Sequence, residues 1–273
     1  MRYSLAVPRT TAATIAGLQI GARAGSSQEF KDHRDYQPGD DLRRIDWNAF
    51  ARSDKLTVKL YREEISPHLD LVIDGSRSMA VEPGTKAQAS VALSSALAVA
   101  AENAGYTHSI WLARDWCEPL ANGSGRPSGW GEFNFDFRQT PAESFSRVPP
   151  KFGRQGQRIF ISDLLWLGEP LQLLQQLSHH AASVIVIQLL AEADLAPPER
   201  GRLRLIDSET EEHREIFIDD AAISRYRDAL TRHQQNWHRA CRQIGATFIE
   251  LVAEPILSTW NLEALVKADV LKA

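Results

Sequence analysis

Leu71-Val72-Ile73-Asp74-Gly75-Ser76-Arg77-Ser78-Met79 is an apolar strand that runs straight into a turn carrying Asp, Ser and Ser at alternate positions. Three compact oxygen side chains at the end of a buried strand can converge on a hard divalent cation. Such cations take oxygen ligands in near-octahedral arrays. The same residue types also begin helices, so Asp74, Ser76 and Ser78 have a second reading as an N-cap. The surroundings of the turn must separate the two.

Outward from this turn the chain alternates short apolar strands with helical stretches. Strands are expected at Leu69–Asp74, His108–Ala113, Arg158–Ser162, Ser183–Leu190 and Thr247–Val252, and helices at Lys86–Asn103, Glu169–His179, Asp220–Ile244 and Pro255–Ala268. That order predicts an α/β fold with a mainly parallel sheet flanked by helices. Asp163 closes a second apolar strand, Arg-Ile-Phe-Ile-Ser-Asp. Ligands in such sheets bind at the carboxyl ends of the strands, so Asp74 and Asp163 are expected at one edge.

Two inserts interrupt the alternation. The stretch 118–156 is rich in Gly, Pro and Ser, carries Trp130, Phe133, Phe135 and Phe137, and reads as a long excursion suited to partner recognition. The stretch 202–219 reads as a β-hairpin, with Leu203 and Leu205 alternating before a polar tip and Ile216 and Ile218 after it.

The first 67 residues form an extension expected to pack on a core domain spanning 68–273. From Glu29 to Glu64 this extension holds nine acidic and eight basic residues together with Phe30, Tyr36, Trp47 and Phe50. Near-balance at that density, with large aromatic groups, points to an ordered ion-pair network. Pro38-Gly39-Asp40 signals a turn, and Leu56–Tyr61 alternates with the period of a strand.

The composition sets limits on function. With 273 residues, 43% of them hydrophobic, the chain can build a substantial core. A net charge of −4 argues against nucleic acid and anionic membrane surfaces as partners. Cys117 and Cys241 lie far apart with no paired motif, which disfavours a disulfide framework or a zinc site and fits a reducing cytoplasm. The polar-interrupted N-terminus lacks the apolar core of a secretory signal. The most apolar segments, 91–101 and 181–191, are shorter than the ~20 residues of a membrane span, so none is expected. Trp111, Trp116, Trp166, Trp237 and Trp260 are expected in the core. The spacings His179-His180 and His233/His238 suit packing or surface roles better than metal binding.

Asp74-Gly75-Ser76-Arg77-Ser78 resembles the DxSxS element of the metal-ion-dependent adhesion site in von Willebrand factor A domains. The resemblance implies a doubly wound sheet, direct metal ligation by Ser76 and Ser78, direct or outer-sphere ligation by Asp74, and a further acid at Asp163. It also implies a threonine from a second loop. Thr140 is the candidate, although Thr140-Pro141-Ala142-Glu143 also reads as a helix capping box, and Thr85 is a runner-up.

A wider similarity covers almost the whole chain. Glu29-Phe30, Arg34-x-Tyr36-x-Pro38-Gly39-Asp40-Asp41-x-Arg43-x-Ile45-Asp46-Trp47, Ala51-Arg52, Leu56-x-Val58-Lys59 and Glu63-Glu64 are similar to the signature of a bacterial family known as domain of unknown function fifty-eight. Asp207, Glu209 and Thr210 resemble that family's hairpin, with Glu211 where glycine is usual. The resemblance implies association with MoxR-type AAA+ ATPases and an adaptor role in assembling or activating other proteins. Many relatives carry membrane helices before this region; none is read in this chain.

Arg34, Asp40, Asp41, Arg43, Asp46 and Arg52, with Arg44, form a buckle of arginine forks and carboxylates. It has two readings, a recognition surface and an ion-pair network that locks the extension in place, of which the density of charge favours the second.

The expected function is therefore a non-enzymatic adaptor. It holds Mg2+, or Mn2+ or Ca2+, through Asp74, Ser76, Ser78, Asp163 and Thr140, and leaves a coordination position for a partner's acidic residue. The alternative is a magnesium-dependent phosphoryl-transfer or phosphatase enzyme using Asp74. Such enzymes place a second acid two residues on, where this chain has Ser76, and neither a glycine-rich phosphate loop nor a catalytic triad is evident.

Overall fold

The computed structural model describes residues 3–6, 28–63, 67–81, 83–153, 155–196, 200–208 and 211–273. The chain divides into two compact units, Arg9–Ser66 and Met1–Pro8 with Pro67–Ala273. The opening strand β1 (Ser4–Leu5) belongs to the second of these, where it pairs antiparallel with Leu271–Lys272. The expected extension of residues 1–67 is thus not one piece, because Leu5 is drawn into the core of the larger unit.

The smaller unit is an antiparallel pair, β2 (Gln28–Asp35) and β3 (Thr57–Glu63), with a register shift between Phe30 and Asp32. Between the strands the chain turns at Gly39, whose φ of 107° suits glycine, and passes a 3-10 turn at Leu42–Arg44. It then forms α1 (Trp47–Ser53), with Asp46 as its N-cap. Strand β3 was legible as an alternation. Strand β2 was not, because its charged sequence Glu-Phe-Lys-Asp-His-Arg-Asp carries little apolar periodicity.

The larger unit runs through β4 (His68–Asp74), α2 (Thr85–Asn103), β5 (Thr107–Ala113), β6 (Cys117–Pro119), α3 (Pro141–Arg147), β7 (Gln157–Ser162), α4 (Pro170–Ser178) and β8 (Ser183–Leu190). It continues with α5 (Glu192–Leu195), β9 (Gly201–Ile206), β10 (His213–Ile218), α6 (Asp220–Gln243), β11 (Thr247–Val252), α7 (Ala253–Thr259), α8 (Glu263–Lys267) and β12 (Leu271–Lys272).

Six strands make the central sheet in the order β11-β8-β7-β4-β5-β6, parallel throughout except for the antiparallel edge strand β6. This is the doubly wound α/β order, in which successive crossovers change direction between β4 and β7. Strands β9 and β10 form the expected hairpin and, among the described residues, pair only with each other.

Alternate residues of each strand feed two cores. Leu69, Leu71, Ile73, Ile159, Ile161, Ile185 and Ile187 pack with Ala89, Leu93 and Leu97 of α2 on one face. Val72, Phe160 and Val186 pack with Leu173, Leu177, Trp237 and Cys241 of α4 and α6 on the other. Each fully buried Leu, Ile or Phe contributes about 1.5–3 kcal/mol, so the two faces together fix the register.

Two expectations are corrected. The helix expected over Pro255–Ala268 is broken, because Trp260 takes a left-handed φ of 53° and ends α7 before α8 begins. Trp116 and Trp260 lie exposed rather than in the core, whereas Trp111 and Trp237 are buried as expected. The excursion 118–156 holds a 3-10 turn at Pro127–Gly129 and helix α3.

Candidate functional site

The reversal of strand order places the carboxyl ends of β4 and β7 side by side, and the chain puts its buried acids there. Asp74 and Asp163 are fully buried, as is Ser162. Residues 70, 72 and 74 of β4 share one sheet face with 158, 160 and 162 of β7, because Asp70 pairs with Arg158 and Val72 with Phe160. Ser162 accordingly reaches Asp74 and donates to its Oδ2 at 2.6 Å.

After Asp74 the chain passes close to β5. A Cβ on Gly75 would lie 2.8 Å from the carbonyl oxygen of Ala113, so this position demands glycine. The backbone N–H of Ser76 donates to Asp74 Oδ1 at 2.8 Å, closing a turn. Ser76 stands at the N-cap of the 3-10 turn Arg77–Ala80, yet its hydroxyl makes no capping bond. The hydroxyl lies instead 3.0 Å from that of Ser78. The capping explanation of these serines therefore fails at the atom it depends on.

Beyond β7 the chain is strained. Leu164 is buried with a φ of 60°, a left-handed conformation that costs a non-glycine residue about 1–3 kcal/mol. The turn is held by Ser162 Oγ, which accepts from the Leu164 N–H, and by Asp163 Oδ1, which accepts from Leu165 N–H. His233 binds the Leu164 carbonyl oxygen at 2.7 Å, a packing role of the kind expected for the histidines.

A buried cation lies at this edge. Lys86, 5% exposed in the first turn of α2, donates to Asp163 Oδ2 at 2.8 Å and sits 3.1 Å from Asp194 Oδ2. A positive charge in a helix's first turn opposes the helix dipole, so the carboxylates must supply its stabilisation. Burial works against the Lys86 charge, but Asp163 and Asp194 outweigh it and hold its pKa above the ordinary value. Among the described residues Asp74 pairs with no such cation. Burial first, and then the negative charge of Asp163, push its carboxyl up to about 6 despite the hydrogen bonds from Ser162 and Ser76.

This donor set is all oxygen at its centre: the Ser76 and Ser78 hydroxyls, the Asp74 carboxylate and, behind it, Asp163. Bonds of about 2.1 Å in an octahedron separate neighbouring ligand oxygens by about 3.0 Å, whereas calcium's longer bonds spread them further. The Ser76 and Ser78 hydroxyls, 3.0 Å apart, are hydrogen-bonded to each other at a spacing that two neighbouring ligands of such an ion also have. Among the described residues no three His, Cys, Asp or Glu side chains gather into a ligand cluster, so the serine hydroxyls are essential to any such site.

Thr140 lies three residues beyond Phe137, which pairs with Ser76. Its side chain completes a capping box: Oγ1 accepts from the Glu143 N–H at 3.3 Å, and the Thr140 N–H donates to Glu143 Oε2 at 2.9 Å. The helix-capping reading of this motif is therefore realised. Thr85 opens α2 one residue before Lys86.

The arginine buckle is only partly formed as the sequence suggested. Arg34 pairs with Asp40 at 2.6 Å, and exposed Arg43 with Asp41 at 3.2 Å. Arg52 donates to the carbonyl oxygen of Asn48 and, among the described residues, pairs with no carboxylate. Asp46 draws its charge partners from the two strands, His33 at 2.7 Å and Lys59 at 3.6 Å, while capping α1 through the N–H groups of Asn48 and Ala49. The His33 hydrogen bond leads the causes that bring its pKa down to about 2. Sequence reasoning missed both of these partners, as it missed Ser162, Lys86 and Asp194.

The sequence model of the family described as "Protein of unknown function DUF58" matches residues 32–126 and 140–236, well over half of the chain. The chain belongs to this family. Its relatives include the uncharacterized protein Rv1480 of Mycobacterium tuberculosis and Mb1516 of Mycobacterium bovis. Each is 25% identical over 267 residues, covering 90% of this chain and 81% of the relative.

Solved structures similar to this DUF58 chain include BatB from Bacteroides thetaiotaomicron, 9% identical with a TM-score of 0.36, covering 74% of this chain and 98% of that one. A von Willebrand factor type A protein from Catenulispora acidiphila is 12% identical with a TM-score of 0.34, covering 49% and 34%. The ArnB paralog VWA2 from Sulfolobus acidocaldarius is 15% identical with a TM-score of 0.32, covering 79% and 89%. The fold described above rests on the strand order itself. Among the described residues no helix is long and apolar enough to cross a membrane.

Proposed function

We propose that this chain is a non-enzymatic, divalent-metal-dependent protein-binding adaptor of the cytoplasm, working with a MoxR-type AAA+ ATPase to assemble or activate other proteins. The observation that carries the reading is the fully buried Asp74 carboxyl, beside the buried acid Asp163 and next to two serine hydroxyls 3.0 Å apart. A Mg2+ or Mn2+ ion held by Ser76 and Ser78, with Asp74 and Asp163 behind them, supplies a counter-charge to Asp74, since Lys86 is paired with Asp163 and Asp194. A carboxylate from the partner fills a remaining ligand position. The ATPase partner is carried over from the family resemblance.

Phosphoryl transfer through Asp74 is disfavoured. Both of its oxygens already accept hydrogen bonds, it has no exposed surface, and Ser76 occupies the place of the second acid.

Calorimetric titration of the metal-free protein with Mg2+ and Mn2+, beside the Asp74→Ala plus Ser76→Ala variant, tests the site. Co-purification from the native cell with and without chelator tests the partner. The proposal expects saturable binding lost in the variant, and an ATPase captured only when metal is present. Metal binding or partner capture that survives the double substitution rejects it.

A further inference from the structure

The tip of the β9–β10 hairpin reaches the metal cradle. Arg77, between the two serines, donates from Nη1 to Glu211 Oε1 at 2.8 Å, and Arg138 donates from Nη2 to the same oxygen at 2.7 Å. Both arginines are set on the cradle's own frame. The Arg77 N–H donates to the Phe137 carbonyl oxygen, its Nε to that of Asp136, and Ser76 pairs with Phe137. Two guanidinium groups therefore converge on one carboxylate at the rim of the Asp-Ser-Ser turn.

The group that fills this fork is weakly committed to it. Glu211 is 58% exposed and adopts a left-handed φ of 62°, a conformation unfavourable for glutamate. Among the described residues the hairpin pairs with no other strand, and Leu205, Ile206 and Phe217 lie exposed along it. Isolated two-stranded hairpins are marginal, and exposed ion pairs contribute little. Arg77, 33% exposed and tied to the Asp136 carbonyl oxygen, is the fixed part of the contact, exposed Arg138 adds the second fork, and Glu211 is the replaceable half.

We propose that Arg77 and Arg138 form a carboxylate receptor beside the cradle, that Glu211 occupies it within the chain, and that an acidic segment of a protein partner takes it by displacing the hairpin tip. The inference deepens the adaptor reading, on which the identity of the partner rests. The observed occupant is itself a carboxylate, and a fork of guanidinium N–H groups is matched to that group. The hairpin then acts as a latch that holds the docking surface closed against weakly acidic surfaces.

Fluorescence anisotropy with a labelled hexaglutamate peptide tests this on the full chain, in parallel buffers containing Mg2+ and chelator. Glu211→Gln is expected to tighten peptide binding about fivefold in both buffers, by about 1 kcal/mol. Glu212→Gln makes the same charge change at a side chain paired with Arg214 and is expected to leave affinity unchanged. Adding Arg138→Gln to Glu211→Gln is expected to remove the gain. Hydrogen exchange at residues 203–206 and 213–217 should quicken when peptide binds. Equal affinity of Glu211→Gln and the unsubstituted protein in both buffers overturns the latch, as does a gain that survives Arg138→Gln or a peptide that binds no variant. Affinities that ignore Mg2+ while the Glu211→Gln gain persists count against the metal reading and support the latch.

Discussion

Strand β4 buries an aspartate at each end, and the two ends resolve the same electrostatic problem differently. At the amino end Asp70 accepts from Trp111 Nε1 at 2.8 Å and faces Arg158, its cross-strand partner, at 3.8 Å. Arg158 is itself anchored by the carbonyl oxygens of Leu177, His179 and Gly153 and by the ring of Phe152. At the carboxyl end Asp74 meets the uncharged donors Ser76 and Ser162, with Asp163 as its charged neighbour. The lesson is that burial of an acid does not mark a site. A buried acid left without a paired cation is the stronger candidate, because a chain that can place Arg158 under Asp70 has the means to neutralise Asp74 as well.

The largest test of this contrast is stability without metal. Asp70→Asn leaves Arg158 buried without its counter-charge, and Lys86→Met leaves Asp163 buried without its own. Each is expected to cost about 3–5 kcal/mol in urea unfolding with chelator present. Asp74→Asn removes a charge that opposes folding and is expected to cost less than about 1.5 kcal/mol, the worth of a weakened hydrogen bond. Equal losses for Asp70→Asn and Asp74→Asn would erase the distinction between the two ends.

The pH dependence separates the acids further, and the signs follow from proton uptake. The folded Asp74 carboxyl, at about 6, keeps its proton where the unfolded group, near the ordinary value of about 4, has lost it. Its contribution to stability is therefore most favourable below about pH 4 and falls as pH rises to about 6, by on the order of 3 kcal/mol. Asp46 in the smaller unit runs the other way. Held near 2, it is ionised in the folded state first, so it stabilises above about pH 4 and that stabilisation is lost as pH falls towards 2. Unfolding curves at stepped pH should show the slope between pH 4 and 6 vanish in Asp74→Asn, and only the more acidic slope vanish in Asp46→Asn.

Which residues the sequence disclosed follows the same division. The strand-terminal acids and the alternate serines are consecutive text, and the α/β alternation places them at one edge before any contact is known. Lys86, Ser162 and Asp194 are not text of that kind. Ser162 faces Asp74 only because β7 pairs with β4 in one register, and Lys86 reaches Asp163 only because α2 begins at the carboxyl edge. Asp46 shows the limit from the other side. Its charge was legible, but its partners His33 and Lys59 come from two strands, and one of those strands lacked a readable period. Ligand types are local properties of a sequence, whereas counter-charges are tertiary ones.

The smallest effect sharpens the weakest boundary of the site. Thr140 caps α3 with both halves of a capping box, so Thr140→Ala is expected to lower stability by about 1 kcal/mol with or without metal. If the proposed Mg2+ ion binds and Thr140 is one of its ligands, the substitution must weaken that binding, and any stabilisation from saturating Mg2+ must shrink beyond the capping loss. Thermal unfolding of Thr140→Ala and Thr140→Ser across a Mg2+ series distinguishes these, because serine retains both the capping oxygen and a possible ligand. A constant offset for alanine at every Mg2+ concentration confines Thr140 to the helix. An offset that grows with Mg2+ and is rescued by serine brings it into the metal cradle beside Ser76 and Ser78.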